Sequence, residues 1–332
     1  MPTLTALYIH HLDPIIVNLP GSPLAVRWYG LAYVAGFLLG YMVLLQLSKK
    51  DLYCVAPQKL GDFITAVCLC GVLIGGRLGE FFFYWLPEHG LSGFWDDPFW
   101  VLRVWEGGMA SHGGILAVLT VAIYYALRYK LPIGGVCDGL AIVAPIGLCF
   151  GRVANFINGE LYGRVCSAEN PIAMKFPQEI FELSEPTRMQ AIAAMEQASG
   201  ASLHLTTNSG HSIIDINAYM ETVRNSEPAR EALAQYLQPR YPSQLFEALG
   251  EGLLIFIILL SLRLVWKKAP AGIFSALFCF LYAGARIISE CFKEPDAPTW
   301  GIITRGQYLS FAVVAMGLGF LALALLRRPK NA

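Results

Sequence analysis

Charge is scarce in this chain. Only 14% of its 332 residues are Asp, Glu, Lys or Arg, against about 25% in an ordinary soluble domain. That scarcity, with apolar residues gathered in long runs, excludes a disordered chain and an ordinary cytosolic enzyme. No basic excess exists either. The 24 basic and 24 acidic residues cancel, which leaves nothing to suggest nucleic acid as a partner. The eight cysteines show neither a CxxC pair nor Cys/His ligand spacing, so a metal site and a disulfide-stapled mini-protein are both disfavoured. Most lie in apolar runs, where a thiol behaves as a small hydrophobe. The chain shows no internal repeat, which removes support for an inverted-repeat transporter. Its apolar runs do not alternate, which excludes a membrane β-barrel. The first residues, MPTLTALYIHHLDPIIVNLP, lack the basic start and uninterrupted apolar core of a cleaved signal peptide.

What is abundant is apolar length. Hydrophobic residues make up 55% of the chain and the mean hydropathy is +0.51. A membrane helix needs about 20 mostly apolar residues. Seven stretches qualify: Trp28–Leu47, Gly61–Trp85, Met109–Leu127, Val136–Ile157, Ser243–Trp266, Ile273–Cys291 and Gly306–Leu326. Lipid offers backbone amides no partner outside the segment, so each is read as a helix. The expected fold is all-α, a polytopic membrane helix bundle of about seven spans with a small extracytoplasmic head.

Basic residues follow alternate spans: Lys49, Lys50 and Lys59, then Arg128 and Lys130, then Arg263, Lys267 and Lys268, then Arg327, Arg328 and Lys330. The connector between spans two and three carries Glu88, Asp96, Asp97 and Glu106. The excess of Lys and Arg marks the cytoplasmic side, so the N-terminus is expected outside and the C-terminus in the cytoplasm. The expected organisation is an extracytoplasmic segment 1–27, spans one to four in 28–159, an extracytoplasmic head in 160–242, spans five to seven in 243–326 and a cytoplasmic tail 327–332. The head contains one helix-like stretch, Pro186–Ser199, and looks hardly large enough for an independent core.

Charges inside spans are costly, about 2.5–3.5 kcal/mol at mid-helix on insertion scales, and mark function. Here they cluster. Arg152, Asn155 and Asn158 sit in GRVANFINGELYGR, followed by Glu160. Tyr282, Arg286 and Glu290 are spaced by four and form one helical stripe, as do Ser243, Glu247 and Glu251. Two arginines in separate outer-half positions suggest an anion between them, because Arg grips phosphate bidentately. The plainer reading is that Glu247 and Glu251 neutralise those arginines. Arg77 and Glu80, three apart in span two, read as an internal salt bridge that fixes packing. Asp138 reads as the cap of a helix start. His112, between Ser111 and two glycines, is the only histidine inside a span-like segment. It is either a satisfied core histidine or a reactive one that its glycines leave approachable.

These residues resemble the prolipoprotein diacylglyceryl transferase family. GRVANFINGELYGR resembles its signature. RWYGLAYVAGF, GGRLGEFFFYW, RVWEGGMASHGG, RYPSQLFEALGEG and FLYAGARIISECFKEPD match other family blocks in the same order. Glu80, Ser111, Tyr241 and Phe246 stand where the family usually has Tyr, Phe, His and Tyr, RGQYLS replaces a block that usually begins with Met, and about 167–238 matches poorly.

The resemblance implies an enzyme of the bacterial cytoplasmic (inner) membrane. It would move the diacylglyceryl group of phosphatidylglycerol to the lipobox cysteine of a preprolipoprotein signal peptide, releasing glycerol-1-phosphate. It implies Arg152 and Arg286 as essential arginines, His112 beside the reacting centre, and Tyr282 and Glu290 as polar residues of the last functional helix. Tyr29, Asn155, Asn158, Glu160 and Gly163 would serve substrate binding. Such chemistry requires no metal and no redox cofactor. Charge builds on the departing phosphate, so fixed cations stabilise the transition state most. The substrate thiol, with an ordinary pKa of about 8.5, needs a proton acceptor. His112, Tyr282 and Glu160 are the candidates, and the near-neutral imidazole favours His112.

Overall fold

A computed structural model describes residues 7–18, 25–97, 99–103, 108–206, 212–294 and 304–326. Glu106, His211, Arg327, Arg328, Lys330 and the rest of the expected cytoplasmic tail lie outside the described residues. Among the described residues the chain forms the helices α1 (Trp28–Lys49), α2 (Pro57–Gly90), α3 (Ser111–Arg128), α4 (Ile133–Asn158), α5 (Glu185–Ser199), α6 (Ile216–Asn225), α7 (Glu227–Ala234), α8 (Ser243–Val265), α9 (Ile273–Ser289) and α10 (Arg305–Leu326). Among the described residues, α1, α2, α3, α4, α8 and α10 are long and apolar enough to cross a membrane, and α9 is a shorter apolar helix. The chain is an all-α, multi-pass membrane protein. Each of the seven expected spans coincides with one of these helices. Their surfaces carry large apolar side chains such as Leu38, Met42, Leu116, Leu254 and Phe311, which lipid accepts and water would not.

Two compact units divide the chain. The first comprises the described residues of Met1–Tyr33, Leu148–Gly252 and Gly284–Ser310; the second, those of Val34–Gly147, Leu253–Ala283 and Phe311–Ala332.

In the first unit, three short strand pairs supplement the helices: β1 (Tyr8–Ile9) runs parallel to β4 (Met174–Lys175), while β2 (Ile15–Asn18) with β3 (Ala25–Arg27), and β5 (His204–Thr206) with β6 (Ser212–Ile214), are antiparallel. The segment 177–237 has its own hydrophobic core, which corrects the expectation drawn from its size. Ile180, Ile192, Met195, Leu203, Tyr219, Val223 and Leu233 are all fully buried in one cluster. Local chemistry sets its helices. Pro186 opens α5 and Gly200, at φ 70°, closes it. The Asp215 carboxylate accepts from the backbone of Asn217 and Ala218 to cap α6, and Ser226 Oγ accepts from Ala229 to cap α7.

In the second unit, α1 and α3 end in Schellman turns. Leu52 N donates to Leu47 O at 2.8 Å, and Leu131 N to Ala126 O at 2.8 Å. Asp138 behaves as the cap expected of it, but for α9 rather than for its own helix. Its carboxylate accepts from Gly272 N and Ser275 N, both at 2.7 Å. The Arg77–Glu80 reading is corrected: among the described residues these two form no ion pair, and Arg77 instead donates to main-chain carbonyls.

Candidate functional site

The polar residues of the signature gather at the end of α4 for a local reason. That helix closes in a third Schellman turn, with Glu160 N donating to Asn155 O at 3.1 Å and Gly159 N to Phe156 O at 2.9 Å. The turn folds Glu160 back over its own helix. Its Oε1 then accepts from Asn155 Nδ2 at 2.8 Å and from Asn158 Nδ2 at 3.3 Å. The chain is held beyond the turn by Gln244 Nε2 donating to Glu160 O at 2.8 Å and by Gly163 N donating to Tyr241 O at 2.8 Å. Arg240 clamps the same loop. Its buried guanidinium donates to Glu179 Oε1 at 2.7 and 2.9 Å, to Glu294 Oε2 at 2.9 Å and to Gly163 O at 3.2 Å.

The signature is tied to α8 by close packing. A Cβ on Gly252 would sit 2.6 Å from Cys149 Cβ and 2.8 Å from its backbone N, so only glycine permits this approach. Within α8 the turn Ala248–Leu254 widens to π-helical geometry, a distortion common at functional positions. Glu247 directly precedes this stretch and Glu251 lies within it; they are 0% and 1% exposed.

Both arginines converge on Glu247. Arg152 Nη2 and Arg286 Nη1 each lie 2.8 Å from the same oxygen, Glu247 Oε2. Arg286 also meets Glu251 Oε1 at 3.4 Å and Glu290 Oε1 at 2.6 Å, and Ser289 Oγ donates to Glu251 Oε1 at 2.6 Å. Arg152 Nη1 continues weakly to Asn155 Oδ1 at 3.4 Å. One polar chain therefore links Glu290, Arg286, Glu247, Arg152, Asn155, Glu160 and Asn158. Charge-assisted bonds of this kind are about twice as strong as neutral ones. Removing one partner from a buried pair costs about 3–5 kcal/mol. The arginines are thus neutralised by the α8 carboxylates, as the plainer sequence reading had it, and are also brought side by side. Glu247 Oε1, Glu251 Oε2, Gln244 Oε1 and Asn158 Oδ1 are buried without a hydrogen-bond partner among the described residues. Buried acceptors of this kind normally find donors.

Of the residues singled out from sequence, Arg152, Asn155, Asn158, Glu160, Gly163, Arg286, Glu290 and Tyr29 belong to the first unit, whereas His112 and Tyr282 belong to the second. Tyr29 is half-buried, with its ring centroid 5.3 Å from that of Tyr33. His112 stands in the first turn of α3 and is half-buried; Tyr282 lies on α9, its ring stacked on Phe278 at 5.7 Å. The stripe expected for Tyr282, Arg286 and Glu290 holds in part: Arg286 and Glu290 form the i,i+4 ion pair. The replacements at Tyr241 and Phe246 pack together with Phe292, with ring centroids 5.4–6.2 Å apart.

Sequence reasoning gave Glu247 only the part of a neutralising acid, and it did not place Gln244, Ser289 or Arg240 in the site. The four-residue spacing of Ser243, Glu247 and Glu251 was the available signal for the first. No comparable signal marked Arg240, whose partners lie 54 and 61 residues away.

A family model described as Prolipoprotein diacylglyceryl transferase matches residues 14–323. A phosphatidylglycerol–prolipoprotein diacylglyceryl transferase of Bdellovibrio bacteriovorus is 39% identical, over 93% of this chain and 92% of its own length. Proteins of the same name from Bradyrhizobium diazoefficiens and Shigella boydii are each 34% identical. They cover 95% and 99% of this chain, and 92% and 99% of their own lengths.

Proposed function

The chain belongs to the prolipoprotein diacylglyceryl transferase family, and from that premise we infer that it transfers the diacylglyceryl group of phosphatidylglycerol to the lipobox cysteine thiol of a preprolipoprotein. The substrate sulfur forms a thioether bond to the glycerol carbon that carried the phosphate. The carbon–oxygen bond breaks, its electron pair stays on the phosphate oxygen, and glycerol-1-phosphate departs. The thiol proton passes to a base.

The observation that carries the residue assignment is the convergence of Arg152 and Arg286 on Glu247 Oε2. Two guanidiniums held side by side before substrate arrives can meet the charge that grows on the leaving phosphate without reorganising, and this preorganisation is what accelerates the step. The phosphate competes with Glu247 for them, so part of their charge is reserved until it arrives. The orphan oxygens of Glu247, Glu251, Gln244 and Asn158 suit hydroxyl donors such as those of a glycerol head group. His112 is the proton acceptor in this reading, Tyr282 a hydrogen-bond donor to lipid or phosphate, and Tyr29 and Gly163 line the substrate path.

The protein is a multi-pass bacterial membrane protein. We place it in the cytoplasmic membrane with the N-terminus and the 160–242 head outside, on the strength of the Lys and Arg distribution. Complementation of a transferase-depleted bacterium, with lipoprotein lipidation as the readout, tests the activity. Purified protein given phosphatidylglycerol and a lipobox peptide is expected to add one diacylglyceryl mass to the peptide. No mass gain would remove the proposal. Reporter fusions after Lys50, Arg128 and Lys268 are expected to read cytoplasm, and those at Asp97 and Glu196 outside; one inverted site overturns the orientation.

A further inference from the structure

We propose that Arg77 is a positioning residue for His112, holding the base through the connector that leads into α3; the proposal rests on the reading of His112 as the proton acceptor. Arg77 lies on α2 and is 3% exposed. An arginine buried in a membrane helix must satisfy five N–H donors. Here they turn to the connector. Nε donates to Val101 O at 2.9 Å, Nη1 to Gly108 O at 3.0 Å, and Nη2 to Trp100 O at 2.7 Å and to Arg103 O at 3.0 Å. The guanidinium also lies over the Trp100 ring, 4.1 Å from its centroid. One side chain thus fixes both ends of the connector.

Little slack remains between this clamp and the imidazole. Gly108 is four residues before His112. Between them, Ala110 N donates to Gly76 O at 2.9 Å, next to Arg77 itself. Immediately after His112, Gly113 is pressed against α2. A Cβ there would collide with Gly75 O and Gly79 Cα. His112 therefore sits between two anchors on α2, and its position depends on where Arg77 holds the first of them. A merely structural clamp would affect the amount of folded protein. A positioning clamp also affects the proton transfer, because a misplacement of about 1 Å costs about 100-fold in rate.

The test is a double-mutant cycle on the purified full-length enzyme in phosphatidylglycerol vesicles, with a lipobox peptide as acceptor. Arg77→Lys keeps the charge but cannot reach several carbonyls at once. It is expected to lower kcat about 100-fold, with KM for phosphatidylglycerol unchanged. It should also gain rate as pH rises toward the thiol pKa, the profile expected of His112→Gln. The double variant should be no slower than His112→Gln alone, since both act on one step. If Arg77→Lys accumulates poorly, Trp100→Leu removes the stacked ring and leaves every acceptor; about tenfold loss with the same altered profile is expected. A wild-type pH profile in the Arg77 and Trp100 variants, or losses that add to that of His112→Gln, overturns the proposal while leaving the base assignment intact. A His112→Gln enzyme with the wild-type rate sinks the base assignment, and the proposal with it.

Discussion

Arginines in the two units are satisfied in opposite ways. In the second unit Arg77 gives its donors to main-chain carbonyls and to a tryptophan face. In the first, Arg152 and Arg286 lean on the carboxylates of Glu247, Glu251 and Glu290. Carbonyl oxygens that hold a guanidinium belong to a backbone that cannot leave. A carboxylate cancels the charge and can be outcompeted by another anion. The first arrangement suits a clamp and the second suits a site that must accept and release phosphate.

Breaking the shared carboxylate should have the largest effect. Glu247→Gln leaves two adjacent half-buried cations without their common buried partner, and a loss of about 3–5 kcal/mol in stability is expected. Thermal unfolding in detergent measures it, and added phosphatidylglycerol should restore part of the loss by supplying the anion. If the lipid protects the variant no more than the wild type, the idea that phosphate takes the place of Glu247 is wrong.

Next come the arginines themselves. Arg152→Ala should insert in the membrane and be inactive. Arg286→Lys should lose about 2.7–4 kcal/mol of transition-state stabilisation, roughly 100-fold or more in rate, because a point charge cannot span two acceptors. Turnover near the wild-type level in either, with folding intact, would show that the pair only packs and does not bind the phosphate.

A buried histidine sharpens the contrast. His10 is 3% exposed, edge-on to Phe156 and stacked on Phe176. No charged partner compensates it among the described residues, and burial pushes its pKa from 6.5 down to about 4. Between those two values the unfolded chain binds a proton that the folded chain refuses. Stability from this group is therefore complete above about pH 6.5 and falls as pH drops toward 4, by about 3 kcal/mol in all. Protection of the Tyr8 and Ile9 amides, taken relative to the intrinsic exchange rate at each pH, should fall over that window in the wild type and not in His10→Phe.

The smallest effect belongs to a purely local device. Asp215→Ala removes the α6 cap and should cost about 1 kcal/mol, read as faster proteolysis of the 177–237 segment. Transfer activity should be unchanged; a large loss would tie that segment to the site.

Much of the fold was legible in the sequence. Each apolar run became one helix because a helix is the only way such a run can satisfy its backbone in lipid, and that requirement is local. The α5 helix was legible for a similar reason, in a stretch opened by Pro186 and closed by Gly200. The independent core in 177–237 was not. It depends on side chains from several short elements meeting, and the length of the segment says nothing about that. Arg152, Asn155, Asn158, Glu160, Arg286 and Glu290 stood out because charge and amide groups are conspicuous in apolar runs. The polarity of those positions, the all-α membrane class and the family were determined by sequence alone. Which acid each arginine meets was decided only by the tertiary structure. Glu247 and not Glu290 alone joins Arg152 to Arg286, and Arg77 ignores Glu80 for carbonyls 23 to 31 residues away. Hydrogen bonds and ion pairs reach only about 3–4 Å, and which groups fall within that reach is fixed by packing between segments far apart in the chain.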